Sequence, residues 1–200
     1  IKLAVNESYK SSNTAFENTL NEKVNSDSPE CVYCDSYPEY GSQYEWISYV
    51  GFNYISNSQN SSAGYEDFTY ISTDVYAGHT YQATVSCGSN AGDPEQIWMF
   101  FDWNGDCDFD DPGESYDLGE TIGPGTVNGN ITVPLGATSG QTRMRVILEF
   151  LDDPLSGCEV NYIYGQTEDY TVNIIHPGGD VWGWGATQYN GNQSMTVQFS

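Results

Sequence analysis

From residue 44 to residue 175 the chain is a succession of short β-rich runs, and this constrains the fold more than anything else in it. "YEWISYV" (44–50), "FNYIS" (52–56), "YEDFTYI" (65–71), "TYQATVS" (80–86), "QIWMFFD" (96–102), "TVNGNITV" (126–133), "TRMRVILEF" (142–150) and "EDYTVNII" (168–175) follow one another. Gly51, Gly64, Gly78, Pro94, Gly105, Gly113, Pro124, Gly136, Gly140 and Gly157 punctuate them. Many short strands separated by turn residues predict an all-β chain, here an antiparallel β-sandwich of jelly-roll or immunoglobulin-like type.

Two runs show their faces. Tyr81, Ala83 and Val85 alternate with Gln82, Thr84 and Ser86, so one side of that strand meets water. Met144, Val146, Leu148 and Phe150 point one way, and Arg145, Ile147 and Glu149 the other. "QIWMFF" is apolar on both faces and predicts a central strand. Residues 1–30 are polar and weakly patterned and read as an N-terminal arm. Residues 31–175 form the sandwich. Residues 176–200 read as a C-terminal hairpin or arm, with "QYNGNQ" supplying an Asn-Gly turn.

The net charge is −23, from 28 acidic and 5 basic residues. Charged residues make up only 16% of the chain, against about 25% in an average protein. The imbalance is therefore a shortage of Lys and Arg. Such a surface excludes nucleic acid, whose phosphates require clustered basic residues. It also disfavours anionic membrane surfaces, and no apolar run is long enough to span a bilayer. Metal cations, glycans and other proteins remain as partners. Five cysteines in so polar a chain point to an oxidising, secreted context. Their odd number leaves one thiol for an intermolecular bond or a free state.

The densest chemistry is "DWNGDCDFDDPGE" (102–114), which packs six carboxylates into one loop. At an effective dielectric of about 20, each like-charge pair at ~4 Å costs about 4 kcal/mol. A divalent cation removes that cost. Asp102, Asn104 and Asp106 hold positions 1, 3 and 5 of the loop, a spacing that converges side-chain oxygens on one hard cation. Asp108 at position 7, Asp110 and Glu114 complete the candidate ligand set. Oxygen-only donors favour Ca2+ over zinc or copper. Position 6 of such loops is normally Gly, and here it is Cys107. Glu114 stands at position 13 rather than 12, and no helices flank the loop, so this is not an EF-hand.

No catalytic constellation is present. His79 and His176 occur in turn-like contexts, beside no nucleophile motif, and neither a Gly-x-Ser-x-Gly nor a His-Glu-x-x-His sequence occurs. The expectation is a protein that is not an enzyme. Trp182, Trp184 and Tyr189 in the Gly-rich tail are candidate glycan contacts, because Gly neighbours leave rings exposed. The alternative is ordinary cross-strand packing.

Five blocks, in order, resemble the GEVED domain, a module of secreted bacterial proteins. They are "YCDSYPEYGSQYEWISYV" (33–50), "GYEDFT" (64–69), "FDWNGDCDFDDPGE" (101–114), "TRMRV" (142–146) and "YGQTEDYTV" (164–172). The family's name motif appears as Gly165-Gln166-Thr167-Glu168-Asp169-Tyr170, with two of six letters changed. The resemblance implies a β-sandwich attached, without catalysis of its own, to secreted hydrolases or surface proteins. It implies a Cys34–Cys158 disulfide. A Cys87–Cys107 bond across neighbouring strands would then leave Cys31 over. Arg143 and Arg145 are the only arginines, and both lie in the "TRMRV" block. Buried carboxylates need partners, so Asp67, Arg145 and Glu168 or Asp169 are expected to form an internal ion cluster. A calcium ion near these carboxylates is the alternative.

Together these features predict a secreted calcium-binding β-sandwich with a structural or adhesive role, such as a subunit of a self-assembling extracellular filament or matrix. Its partners would be further copies or other extracellular proteins. The alternative is a glycan-binding accessory module of a secreted hydrolase.

Overall fold

A computed structural model describes residues 31–89 and 92–177. The predicted arm at residues 1–30 and the tail carrying Trp182, Trp184 and Tyr189 lie outside the described residues. From Cys34 onward the described chain belongs to one compact unit. It is all-β, with strands β1 (Tyr37–Pro38), β2 (Glu45–Phe52), β3 (Ile55–Ser58), β4 (Tyr65–Tyr76), β5 (Thr80–Ser89), β6 (Pro94–Phe101), β7 (Ser115–Ile122), β8 (Gly125–Thr132), β9 (Gly140–Phe150), β10 (Val160–Tyr162) and β11 (Gly165–Ile175).

Two sheets face one another. One has the order β4-β11-β9-β6-β7 and the other β3-β2-β5-β8. The alternation read from the sequence places Ala83 and Val85 of one sheet and Met144, Val146 and Leu148 of the other in a single core, which Ile47, Val50, Ile97 and Met99 join. The arrangement departs from a purely antiparallel sandwich at one pair. Strand β11 runs antiparallel to β9 but parallel to β4. A short β1–β10 pair is also parallel.

The centre of the five-stranded sheet is covered on both faces, and β9 is buried from Met144 to Glu149. Its outer face carries Arg145, Ile147 and Glu149. Phe109 from the acidic loop lies over the Arg145 guanidinium, 5.1 Å from ring centroid to carbon. Tyr162, from the connection between β9 and β11, is also buried. The Cys34–Cys158 disulfide forms and ties the segment before β1 to that connection.

The expected Cys87–Cys107 bond does not form. Cys107 and Cys31 are each disulfide-bonded, whereas Cys87 is a buried free thiol. Strand direction gives the reason. Cys87 stands late in β5, paired with Gly125 at the start of β8. The loop bearing Cys107 leaves the far end of β6 and rests beside Thr138, beyond the end of β8. The two cysteines therefore sit at opposite ends of the sandwich. The odd thiol is Cys87, and it is sealed in the core.

Candidate metal centre

The acidic loop joins β6 to β7, and its base is rigid. Phe101 stacks on Trp103 with ring centroids 4.5 Å apart. The Trp103 carbonyl accepts from the Thr138 amide at 2.7 Å. Within the loop the carboxylates divide into two groups by direction.

The first group faces inward. Asp102 is fully buried. Its Oδ1 accepts the amides of Gly105 (2.6 Å) and Asp106 (3.2 Å), and its Oδ2 accepts that of Cys107 (3.1 Å). Glu114 is 2% exposed. Its Oε1 accepts the Trp103 amide at 2.7 Å, while its Oε2 has no hydrogen-bond partner. Burial pushes the Glu114 carboxyl up to about 7, against the lowering effect of the Trp103 and Asn104 amides. These two residues fold the loop back on itself.

The second group faces outward. Asp106, Asp108 and Asp111 each place a carboxylate oxygen within 4.8 Å of the others. Asn104 braces them. Its Nδ2 donates to Asp106 Oδ2 (2.9 Å) and to Asp111 Oδ2 (2.5 Å). Asp108 Oδ1 accepts the Asp110 amide at 2.9 Å, a local turn of the kind short polar side chains make. Cys107 adopts φ +78°, the left-handed region that favours Gly. Its disulfide replaces glycine's freedom with a crosslink.

Of the residues read from the sequence, the structure gathers Asp106 and Asp108, with Asn104 touching both Asp106 and Asp111. Asp102 and Glu114 serve the loop's backbone, and Asp110 is exposed outside the triad. Asp111 was missed. It sits at position 10, which no ligand spacing marks, and the Asn104 amide ties it to Asp106. Glu114 Oε2 remains the inner oxygen with capacity to spare. Glu114 and Asp111 line a cleft of about 340 Å³ together with Trp103 and Ala137.

The ion cluster is built on Asp169. Arg145 grips it bidentately, Nε to Oδ1 at 2.7 Å and an NH2 to Oδ2 at 2.8 Å. Arg143 adds a third contact at 2.6 Å, and the Tyr65 hydroxyl donates at 3.0 Å. Such fork-to-fork pairing is the strong form of a charged hydrogen bond. Glu168 points to the opposite face of β11 and takes hydrogen bonds from Gln59 and from the Tyr170 hydroxyl. Asp67 accepts the Thr69 amide. The Thr69 hydroxyl first, and then that amide, lower its carboxyl pKa, with the Arg143 charge adding. The alternation of β11 thus separates Glu168 from Asp169, and the cluster has the character of a structural staple beneath the acidic loop.

Fold and site together define an all-β sandwich module carrying an acidic, crosslinked loop between two of its strands. Residues 96–173 match the GEVED domain family, so this stretch, under half of the chain, is similar to that family. Three solved structures are similar over part of the chain. An alkylpurine DNA glycosylase, AlkC, from Pseudomonas fluorescens, bound to DNA containing an abasic site analog, is 7% identical over 65% of this chain and 30% of its own, with a TM-score of 0.35. A family 123 glycoside hydrolase from Clostridium perfringens is 12% identical over 53% of this chain and 23% of its own, TM-score 0.31. A Niemann-Pick type C2 protein from the Japanese carpenter ant is 7% identical over 70% of this chain and 100% of its own, TM-score 0.35. The chain thus spans less than a third of the first two. A comparison with curated proteins finds no match.

Proposed function

We propose that this chain is a non-catalytic, secreted, calcium-binding β-sandwich module with a structural or adhesive role in an extracellular assembly. The observation that carries the reading is the convergence of Asp106, Asp108 and Asp111 on a loop whose backbone is held by Asp102, Glu114 and a disulfide. Three carboxylates at that separation repel one another, and a hard cation converts the repulsion into a clamp. The disulfide bonds support an oxidising compartment. Among the described residues no helix is long and apolar enough to cross a membrane.

Self-association finds support in strand β4. It is a twelve-residue edge strand, and Tyr65, Tyr70 and Tyr76 along it are exposed. An exposed edge is a template for strand addition. A covalent link through Cys31 loses its basis, because Cys31 is already disulfide-bonded. Light scattering on non-reduced protein, with calcium and then with chelator, tests the assembly. Large particles that disperse on chelation are expected. A monomer of unchanged size in both conditions would remove the filament role and leave a calcium-stapled domain.

A second reading, glycan binding, draws on one further feature. A cleft of about 330 Å³ beside the triad is lined by Trp98, Phe109, Asp110, Asp111 and Ser156, among others. Aromatic rings beside polar groups suit a sugar. Retention on a polysaccharide column that Trp98→Ala abolishes is the outcome this reading requires.

A further inference from the structure

The outer face of the four-stranded sheet is set apart from the rest of the sandwich by its lack of charge. Strands β2, β3, β5 and β8 contain a single charged residue, Glu45, and it is buried. Each strand of the opposite sheet carries at least one. In a chain with 28 acidic residues, a neutral face of this extent selects for a neutral partner.

What the face offers instead is a ladder of hydroxyls and amides. Alternate residues of β5 stand opposite alternate residues of β8. The Thr80 and Thr132 hydroxyls meet at 2.8 Å, the Thr84 hydroxyl donates to Asn128 at 2.7 Å, and the Ser86 and Thr126 hydroxyls meet at 2.8 Å. Gln82 and Asn130 form the remaining rung by register, and both are exposed. Hydroxyls and amides so engaged keep further donor and acceptor capacity, and successive rungs stand about 7 Å apart, two residues of strand.

Beside the ladder, two aromatic rings lie on the backbone of the sheet. Trp46 pairs with Gly88 across β2 and β5. Its indole, at Cε2, Cζ2 and Nε1, fills the space where a Gly88 side chain would begin. The Tyr49 ring covers Gly51 in the same way, with Oη 2.7 Å and Cε1 2.9 Å from where a Cβ would stand. The Tyr49 hydroxyl is held by Ser56 at 3.4 Å. Both glycines are buried, and both rings are half-buried, so each ring gives one face to the sheet and the other to solvent. Gly51 pairs with Thr84, four residues from Gly88 along β5, which places the two covered positions roughly 13 Å apart.

The chemistry of the face discriminates among occupants. A protein partner, a second copy included, requires an apolar centre to the contact. Every Ile, Val and Ala of these four strands belongs to the core instead. An anionic polymer would meet a chain of net charge −23. A neutral sugar fits both features, because its C–H face stacks on an aromatic ring while its hydroxyls exchange hydrogen bonds with fixed polar groups. Since these groups stand on a sheet face, the sugar chain must be flat and extended.

We propose that the outer face of the β3-β2-β5-β8 sheet binds a flat, neutral, β-linked polysaccharide, stacked on Trp46 and Tyr49 and hydrogen-bonded by the ladder of β5 and β8. The ligand class is that of the glycan reading above, but the site is not its cleft, and the binding needs no calcium.

Affinity electrophoresis of the full chain tests this, in gels cast with hydroxyethyl cellulose or galactomannan, and with polygalacturonate as the anionic control. The expected result is retardation by at least one neutral polymer and none by polygalacturonate, unchanged by chelator. Trp46→Ala and Tyr49→Ala should each weaken the retardation about tenfold, the scale of one aromatic anchor lost. Trp98→Ala should leave it unchanged. Trp46→Ala uncovers Gly88, so thermal melts accompany both variants, and Tyr49→Ala carries the test if Trp46→Ala unfolds. Retardation by neither neutral polymer overturns the proposal, as does retardation that folded Tyr49→Ala retains in full. Loss with Trp98→Ala alone also overturns it and returns the sugar to the cleft beside the acidic loop. A Tyr49→Ala variant that changes particle size, with no retardation of wild type, would make the face a contact between copies instead.

Discussion

Asp169 illustrates how one buried charge organises its surroundings. Its carboxylate is fully enclosed and receives both arginines and Tyr65. Asp169→Asn leaves Arg145 buried with no counter-charge, so it should destabilise the fold by about 3–5 kcal/mol in denaturant unfolding. Glu149 makes the opposite case. Burial, with Glu159, Asp152 and Asp153 adding, pushes its carboxyl up to about 8 from an ordinary 4.5. The folded state therefore holds this proton more tightly than the unfolded chain does. Its stabilising effect is complete below about pH 4.5 and is lost as the pH rises through about 8. Glu149→Gln keeps a neutral side chain at every pH. In the presence of chelator, its stability should fall less than wild type's between about pH 5 and pH 8. At pH 8 it should be the more stable by about 1 kcal/mol, because wild type must by then bury a partly ionised carboxylate. Equal slopes for the two proteins would show that Glu149 does not titrate as its surroundings dictate.

At the scale of elements, β11 is the strand on which the sandwich turns, since it joins β9 antiparallel and β4 parallel. It begins at Gly165, with φ +136°, where an added Cβ would collide with the Leu148 backbone carbonyl. Gly165→Ala combines a forbidden dihedral with a backbone clash and should cost well over about 2 kcal/mol in denaturant unfolding. Gly113 lies in the loop at φ +96° with open space around its Cα. There Gly113→Ala should cost only about 1 kcal/mol, the left-handed penalty alone.

The sequence pattern was legible where burial imposes a period. Strands β2, β5, β6, β9 and β11 alternate or run apolar, and each emerged near its expected bounds. Strand β7 was not legible. "SYDLGETI" is an edge strand exposed along much of its length, so no buried face imprints a period. The acidic loop was visible as a charge cluster, but the division into inward Asp102 and Glu114 and outward Asp106, Asp108 and Asp111 was not. That division depends on the path of the backbone through Cys107 and Gly113. The cysteine pairing failed to read for a related reason. Cys87 stands late in β5 and Cys107 follows the far end of β6 in the other sheet, so the two lie at opposite poles.

Across the whole molecule, opposed charge demands define the two ends. One end carries the acidic loop over the Arg145–Asp169 staple. The other buries Glu45 and Glu95, which have no ion pair among the described residues. The proposed divalent cation would neutralise the clustered carboxylates of the acidic loop. Calcium should therefore act on global stability and not only on one loop. The direct test of the central claim is thermal unfolding of the chelator-stripped protein with and without calcium, compared in wild type and in the Asp106→Asn, Asp108→Asn, Asp111→Asn variant. Saturation at about 100 times the dissociation constant adds roughly 2.7 kcal/mol per site, which raises the melting temperature by several degrees in a domain of this size. The account predicts a clear calcium-dependent rise in wild type that the triple variant loses in large part. An identical response in both proteins, or none in wild type, would contradict it.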